Sequence, residues 1–242
     1  MKYSAMCPVF LMIASFAAFS QTTFEEQAAR LQDINAFLLD MRPGTAPVKP
    51  DRISFSATLD LTPQPDLDTR VGNKDEKVDP PSVVPRLRLR MESPFGLFVG
   101  GTYVPGMELD GYEADYYGLE AGYRFKISNL HGQLRGAYLD GDVTGPVTEE
   151  ESDDFFTFQS SGFDFSLGYI RKAFCFYGFA GHGSVDTTLD IQSDGVRLTN
   201  DNQEMYGGLG INWRHNRWEL TLEQNVTGDF LRHLVLSVGY RF

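Results

Sequence analysis

The last nine residues of the chain, LVLSVGYRF (234–242), decide its fold. Apolar or aromatic residues occupy every second position of this stretch: Leu234, Leu236, Val238, Tyr240 and Phe242. A period of two is typical of a β-strand with two different faces. A strand that reaches the final residue leaves an edge open to aggregation unless it is paired on both sides. We therefore predict that this strand pairs with the first strand and closes a barrel.

The same period of two governs the chain from residue 51 onward. Nine further segments are predicted strands: 52–61, 85–91, 96–104, 116–127, 132–140, 161–170, 174–185, 204–213 and 217–226. The period is weaker in 132–140, while 96–104 is apolar on both faces and 174–185 does not indicate which face points inward. Tight turns such as RHN (214–216) alternate with longer polar links such as residues 62–82. Short links favour antiparallel neighbours. The sequence therefore predicts an all-β, antiparallel, up-and-down barrel of ten strands within residues 51–242.

Charged side chains recur on the polar faces of these strands. They are Arg86, Arg88, Arg90, Glu120, Arg124, Arg135, Asp164, Glu219, Glu223 and Arg241. A soluble barrel would direct them outward, and alternation alone fits that arrangement. A transmembrane barrel directs apolar residues toward lipid and encloses the polar ones. An export signal and the alternation of short and long links favour the membrane, where these residues would form a charge network in the lumen.

The first fifty residues differ in character from the rest. Lys2 and the apolar stretch 5–19 are typical of a secretory signal peptide, so we predict cleavage after Ser20. Residues 21–42 follow a helical period of three and four and begin with a capping box. Residues 43–50, PGTAPVKP, form a Pro-rich extended linker. After cleavage only Cys175 remains, which excludes an internal disulfide.

The C-terminal pattern resembles that of bacterial outer-membrane β-barrels. In that superfamily the chain ends on phenylalanine with alternating apolar or aromatic residues before it, and the barrel-assembly machinery reads this signal. Leu234, Leu236, Val238, Tyr240 and Phe242 match the pattern in full. The resemblance covers residues 51–242 and matches no named functional subfamily. It implies a Gram-negative outer membrane as the location, with membrane lipid and lipopolysaccharide as neighbours.

The predicted helix allows several positions. It would lie in the periplasm or plug the lumen, since it precedes the first strand. As a plug it would pack its apolar stripe against the inner wall. As a periplasmic element it would dock a partner or a second copy, or lie along the inner leaflet of the membrane.

Charge and motif content argue against nucleic-acid binding and against a calcium site. The net charge is −12, whereas nucleic-acid binding needs clustered Lys and Arg, so no nucleic-acid partner is expected. The acidic runs at 66–77 and 149–154 lack the spaced oxygen ligands and glycine of a calcium loop. We expect neither a metal nor a cofactor.

Three functions fit the sequence. The first is a non-enzymatic outer-membrane barrel with acidic surface-exposed loops and a structural or surface-interaction role. The second is a narrow pore for small polar solutes with arginine-lined selectivity. The third is a serine-type lipid hydrolase at the outer rim, which would need His182, Ser184 and an acidic residue in contact, with His233 as a candidate across the closure.

Overall fold

The computed structural model describes residues 23–40, 42–65, 81–148, 152–193 and 195–242. The signal peptide predicted at 1–20, the acidic run at 66–77 and the first half of the run at 149–154 lie outside these ranges. One helix, α1, spans Phe24–Leu39. Ten strands follow: β1 (Ser54–Pro63), β2 (Val83–Glu92), β3 (Leu97–Leu109), β4 (Tyr112–Ile127), β5 (Leu130–Gly145), β6 (Asp154–Arg171), β7 (Phe174–Ile191), β8 (Val196–His215), β9 (Trp218–Thr227) and β10 (Leu231–Arg241).

Each strand pairs with its sequence neighbour, and β1 pairs with β10 to close the barrel. All the pairs are antiparallel. At the closure Leu59 lies opposite Val238 and Leu61 opposite Leu236. The backbone N–H of Phe242 donates to Phe55 O at 2.9 Å, so the ladder uses the last residue of the chain. The predicted ten-stranded barrel with one N-terminal helix is confirmed.

Several strands run farther than the sequence predicts. The stretch between β3 and β4, predicted as an open link, is a hairpin whose turn consists of Asp110 and Gly111. Both turn residues have positive φ, 50° and 84°, as a tight two-residue hairpin turn requires. Likewise β7 continues to Ile191 and β8 starts at Val196. Main-chain hydrogen bonds stabilise these extensions. Their side chains are polar and show no apolar period of two, so the sequence does not predict them as strands.

The two faces of the wall are inverted relative to a soluble protein. On β2, Leu87 and Leu89 point outward and are about half exposed, whereas Arg88 between them is 1% exposed. The same alternation of exposed apolar and buried polar residues recurs on β9 and β10. Soluble monomers rarely expose apolar surface on this scale. The outside of the barrel is therefore suited to hydrocarbon and the lumen to polar groups.

Helix α1 lies inside the barrel. Thr23 caps it, since the backbone N–H of Glu26 donates to the Thr23 hydroxyl at 3.2 Å and the Thr23 N–H donates to the Glu26 carboxylate at 2.9 Å. The apolar stripe of the helix, including Ile34 and Phe37, is fully buried against the inner wall. Within the described ranges no helix is both long enough and apolar enough to cross a bilayer.

Candidate functional site

The chain's own N-terminal segment, residues 23–50, occupies the lumen. Helix α1 fills the end with the long hairpins, where Phe37 packs on Phe230 with ring centroids 6.0 Å apart. Residues 42–50 then descend toward the end with the short turns, where the Lys49 N–H donates to Nδ1 of His131 at 3.2 Å. The segment therefore runs along the barrel before β1 begins.

Arginines of the wall bind the backbone of this segment. Each donates from its guanidinium to one or more carbonyl oxygens between residues 39 and 48. The bonds are Arg86 to Leu39 O (3.0 Å) and Asp40 O (2.9 Å), Arg88 to Pro43 O, Arg135 to Arg42 O (3.2 Å) and Arg124 to Val48 O (3.1 Å). Backbone acceptors fix the course of the segment without requiring particular side chains in it.

Carboxylates of the wall neutralise these arginines. Glu120 lies between Arg135, at 3.1 Å, and a further wall arginine, Arg90, at 2.6 Å. Asp60 binds Arg88 at 2.7 Å. The remaining close pairs are Arg124 with Glu92 and Arg135 with Asp164, both at 2.6 Å. Buried charges are tolerated when they are paired and hydrogen-bonded, which the carbonyls of the segment help to achieve.

Arg42 is a charged residue that the segment itself brings into the lumen. Its guanidinium lies 3.8 Å from the centre of the Tyr206 ring and 3.3 Å from the Asp40 carboxylate, and it donates to Thr227 Oγ1 at 3.1 Å. A cation over an aromatic face is attractive, more so when desolvated. Arg42 therefore anchors the junction between helix and linker to β8 and β9.

Polar contacts also hold the helix against β8. The side-chain amides of Asn200 and Asn202 donate to the two carboxylate oxygens of Asp33, at 2.7 and 2.8 Å. Gln32 donates to Leu198 O at 3.1 Å. Burial raises the pKa of Asp33 to about 6, while the hydrogen bonds from Asn202 and Asn200 lower it and the nearby charge of Glu204 raises it.

The structure places all ten charged residues named from the sequence on the inner face. Eight are buried: Arg86, Arg88, Arg90, Glu120, Arg124, Arg135, Asp164 and Glu223. Glu219 and Arg241 form a pair at the end with the short turns, where they are partly exposed. Sequence analysis missed Arg42 and the backbone of the linker, because neither follows a strand period.

The residues of the predicted assembly signal share the outer face of β10. Leu234 and Leu236 are exposed there. Tyr240 packs edge-on against Trp218 at 5.0 Å and against Phe242 at 5.1 Å, at the end with the short turns. Aromatic residues at this level are typical of the interface between membrane and water.

The residues suggested for hydrolysis are divided between the two faces of the wall. His182 stacks on the exposed ring of Phe163 at 6.0 Å, on the same face of β7 as Ser184. His233 is buried on the inner face of β10. The wall therefore separates the two histidines. In the described part of the chain, no cluster of three or more His, Cys, Asp or Glu could hold a metal ion.

No protein-family model matches the chain, and no curated protein matches it in sequence. The solved structures similar to it include bacterial outer-membrane β-barrels. Ail of Yersinia pestis is 12% identical, with 78% of this chain and 96% of Ail covered and a TM-score of 0.30. The translocator domain of the autotransporter NalP from Neisseria meningitidis is 12% identical, with 89% and 95% covered and a TM-score of 0.33.

The toluene transporter TodX of Pseudomonas putida is 13% identical, with 85% of this chain and 72% of TodX covered and a TM-score of 0.35. The likeness to these proteins is one of fold. The chain is a closed, antiparallel β-barrel of ten strands with a short N-terminal helix inside it.

Proposed function

We propose that the chain is a non-enzymatic barrel protein of the bacterial outer membrane, kept closed by its N-terminal segment, with a structural or surface-interaction role. The observation that carries this proposal is the occupied lumen. Helix α1 fills one end, and wall arginines bind the backbone between residues 39 and 48. Because the segment fills the lumen and the charges there are paired, we place the function on the outer surface of the barrel.

The exterior supports a membrane location. Exposed leucines and phenylalanines cover the wall, as Leu119, Phe163 and Leu209 illustrate at 60%, 66% and 74% exposure. Trp218 and Tyr240 lie near the end with the short turns. An apolar band bordered by aromatic residues is the arrangement of outer-membrane barrels. Lipid and lipopolysaccharide are accordingly the proposed surroundings, and the C-terminal strand is the proposed signal for the assembly machinery.

The end with the long hairpins is acidic. Asp115 and Asp142 lie directly opposite each other on β4 and β5, and Asp140 lies opposite Tyr117. Like charges across an antiparallel pair repel. This surface therefore favours cationic partners, and it meets anionic headgroups only with cations between them.

The pore hypothesis requires arginines that are free to meet a solute. In the structure Arg86, Arg88 and Arg124 are instead engaged by the chain's own carbonyls. A pore would thus exist only after the segment has left the lumen.

Conductance in planar lipid bilayers tests the proposal. Refolded chain 21–242 is compared with a version that lacks residues 21–50, after heat-modifiability on gels has shown that both barrels are folded. The intact chain is expected to be silent. Conductance confined to the shortened version would identify the segment as the plug. Steady conductance by the intact chain would overturn the proposal and establish the pore.

A further inference from the structure

The ladder between β2 and β3 is short. The two strands pair over five residues, from Glu92 opposite Phe98 to Arg88 opposite Thr102. Toward the long hairpins, residues 83–87 pair with β1 and residues 103–109 pair with β4, but not with each other. The barrel wall therefore has an unpaired seam at this level, flanked by residues 83–87 and 103–109.

Specific residues end the ladder at this point. The Thr102 hydroxyl donates to Leu87 O at 2.6 Å and so satisfies the first carbonyl beyond the last pair. Pro85, two residues before Leu87, directs its backbone to the same side and has no N–H to donate. In the other strand, the register of β3 against β4 shifts between Val104 and Met107, so β3 is irregular at the same level. The edge of β2 is thus built to stop pairing, which argues that the seam is a feature of the fold.

A cavity of about 330 Å³ passes through the wall at the seam. Its lining includes residues from both faces of the same strands. On β3 it includes the outward Tyr103 and the inward Val104, and on β2 the outward Leu87 and the inward Val84. Only an opening in the wall brings both faces to one cavity. Its inner end is formed by apolar residues of α1, among them Leu31 and Leu38.

The lining is suited to hydrocarbon. Apolar side chains dominate it, including Tyr116 and Phe156, and its charged member Arg86 is already bound to Asp60 and to two carbonyls. Dry apolar cavities of about 150 Å³ hold a benzene ring, so this one has room for a longer apolar group. The mouth lies on the apolar outer face, where the lining residues Leu59, Leu87 and Tyr103 are 41%, 49% and 60% exposed.

We propose that the seam between β2 and β3 is a lateral entrance through which the acyl chain of a membrane lipid enters the cavity and packs against helix α1. The lipid bilayer supplies this ligand because the mouth opens on the lipid-facing side. The site adjoins the charged part of the lumen at Arg86, and the proposal goes beyond a closed barrel by assigning it a bound lipid.

Photolabelling tests the proposal. The full mature chain is refolded into vesicles that contain a phospholipid with a diazirine on its acyl chain, and labelled peptides are identified by mass spectrometry. Labels are expected to concentrate in the peptides that carry residues 83–87 and 103–116. A parallel sample uses a free fatty acid with the same group.

Two cavity-filling variants and a matched control accompany the labelling. Ala114 lines the cavity on the inner face of β4, so Ala114→Phe adds a ring inside it. Ala121→Phe adds the same ring on the outer face of the same strand, away from the cavity. Val84→Phe fills the cavity from β2 if Ala114→Phe does not fold.

The expected result is a loss of labelling of about tenfold in either cavity variant and no change in Ala121→Phe. Labelling spread evenly around the barrel and unchanged by the cavity variants would overturn the site. Concentrated labelling by the free fatty acid but not by the phospholipid would overturn the membrane lipid as the source. Both results are independent of conductance, so they separate this site from the closed-barrel proposal.

Discussion

Arg88 is almost completely buried and binds two kinds of partner. Its guanidinium donates to the Asp60 carboxylate at 2.7 Å and to the carbonyl of Pro43. Arginine suits this position because it carries five donors in a fixed plane and keeps its charge. One side chain therefore joins the wall to the segment inside it.

Replacing Arg88 with methionine should destabilise the barrel strongly. The change leaves Asp60 with only the more distant Arg86, at 3.4 Å, and a buried charge without its close partner costs about 3–5 kcal/mol of unfolding free energy. Urea unfolding in lipid vesicles measures the loss. The control is Arg197→Met, because Arg197 is exposed and should change stability by less than about 0.5 kcal/mol. Equal losses in the two variants would contradict the network.

Asp33 makes the docking of helix α1 depend on pH. Burial raises its pKa in the docked helix to about 6, from an ordinary value of 3.8. The docked state thus holds the proton more tightly than the free helix does. Docking is then strongest below pH 4, weakens as the pH rises toward 6 and stays constant above that.

We expect a protease to cleave residues 23–40 of the unaltered chain faster at pH 7.5 than at pH 5. This increase should be larger than the one measured for the Asp33→Asn variant. The amide cannot ionise, so cleavage of the variant should follow only the protease's own pH dependence. A protease active at both pH values and an unstructured peptide of the same sequence provide the correction. An identical pH response in both chains would show that Asp33 does not govern docking.

At the scale of single residues, the sequence predicted which charges face inward but not what they bind. Alternation on β2 is enough to place Arg86, Arg88 and Arg90 on one face. Arg86 and Arg88 bind backbone carbonyls of the segment, and every residue carries one, so no sequence pattern marks these partners. Arg42 was missed for a related reason, since it lies between two elements and follows no period.

Helix α1 depends on its first turn at the scale of the element. The capping box of Thr23 and Glu26 satisfies two backbone N–H donors at the exposed end of the helix. Thr23→Ala should cost about 1 kcal/mol of helix stability.

Hydrogen exchange of the amides in residues 24–28 measures this loss, as faster exchange in Thr23→Ala than in the unaltered chain. Arg30→Ala, an exposed change in the middle of the same helix, serves as the control and should leave the first turn unchanged. Equal acceleration by both variants would argue against the cap.

The strands were predicted best where lipid or the charged lumen forces alternation. β2 and β9 differ from their predicted ranges by one or two residues at each end. β7 and β8 are longer by several residues because their outer parts form a hairpin with polar residues such as Thr188 and Asn200 on it. Because water surrounds these outer parts, they need no apolar face. They therefore show no apolar period of two that would predict a strand.

At the scale of the whole molecule, we expect Phe242 to act in assembly more than in the stability of the folded barrel. The Phe242 backbone closes the ladder onto Phe55, whereas its ring is 65% exposed. Phe242→Ala keeps the backbone bond, so folding into lipid vesicles should be nearly unchanged. In cells the assembled fraction should fall severalfold, as the heat-modifiable band in isolated membranes would report.

Phe95→Ala is the matched control, since Phe95 is also an exposed phenylalanine at the end with the short turns. It should leave assembly in cells unchanged. A similar loss of the folded band from both variants, or a large loss in vesicles for Phe242→Ala, would mean that the ring acts through stability alone.

The closed barrel could be predicted from the sequence. The position of helix α1 inside the lumen could not. A final strand that must be paired and ten alternating segments were sufficient for closure. Whether helix α1 lies inside depends on how its apolar stripe fits residues such as Leu139, Phe156 and Leu189, which come from distant strands. The fit of one element to several others leaves no local pattern to find.

The course of residues 23–50 also constrains the order of assembly. They run lengthwise through a barrel that β1 and β10 close, with hydrogen bonds to strands on several sides. Once that last ladder has formed, the segment can no longer enter from the side and would have to be drawn end-on past the arginines. The arrangement thus favours an assembly order in which the sheet curls around residues 23–50 while they are already in place. The final pairing of β10 with β1 then encloses this segment.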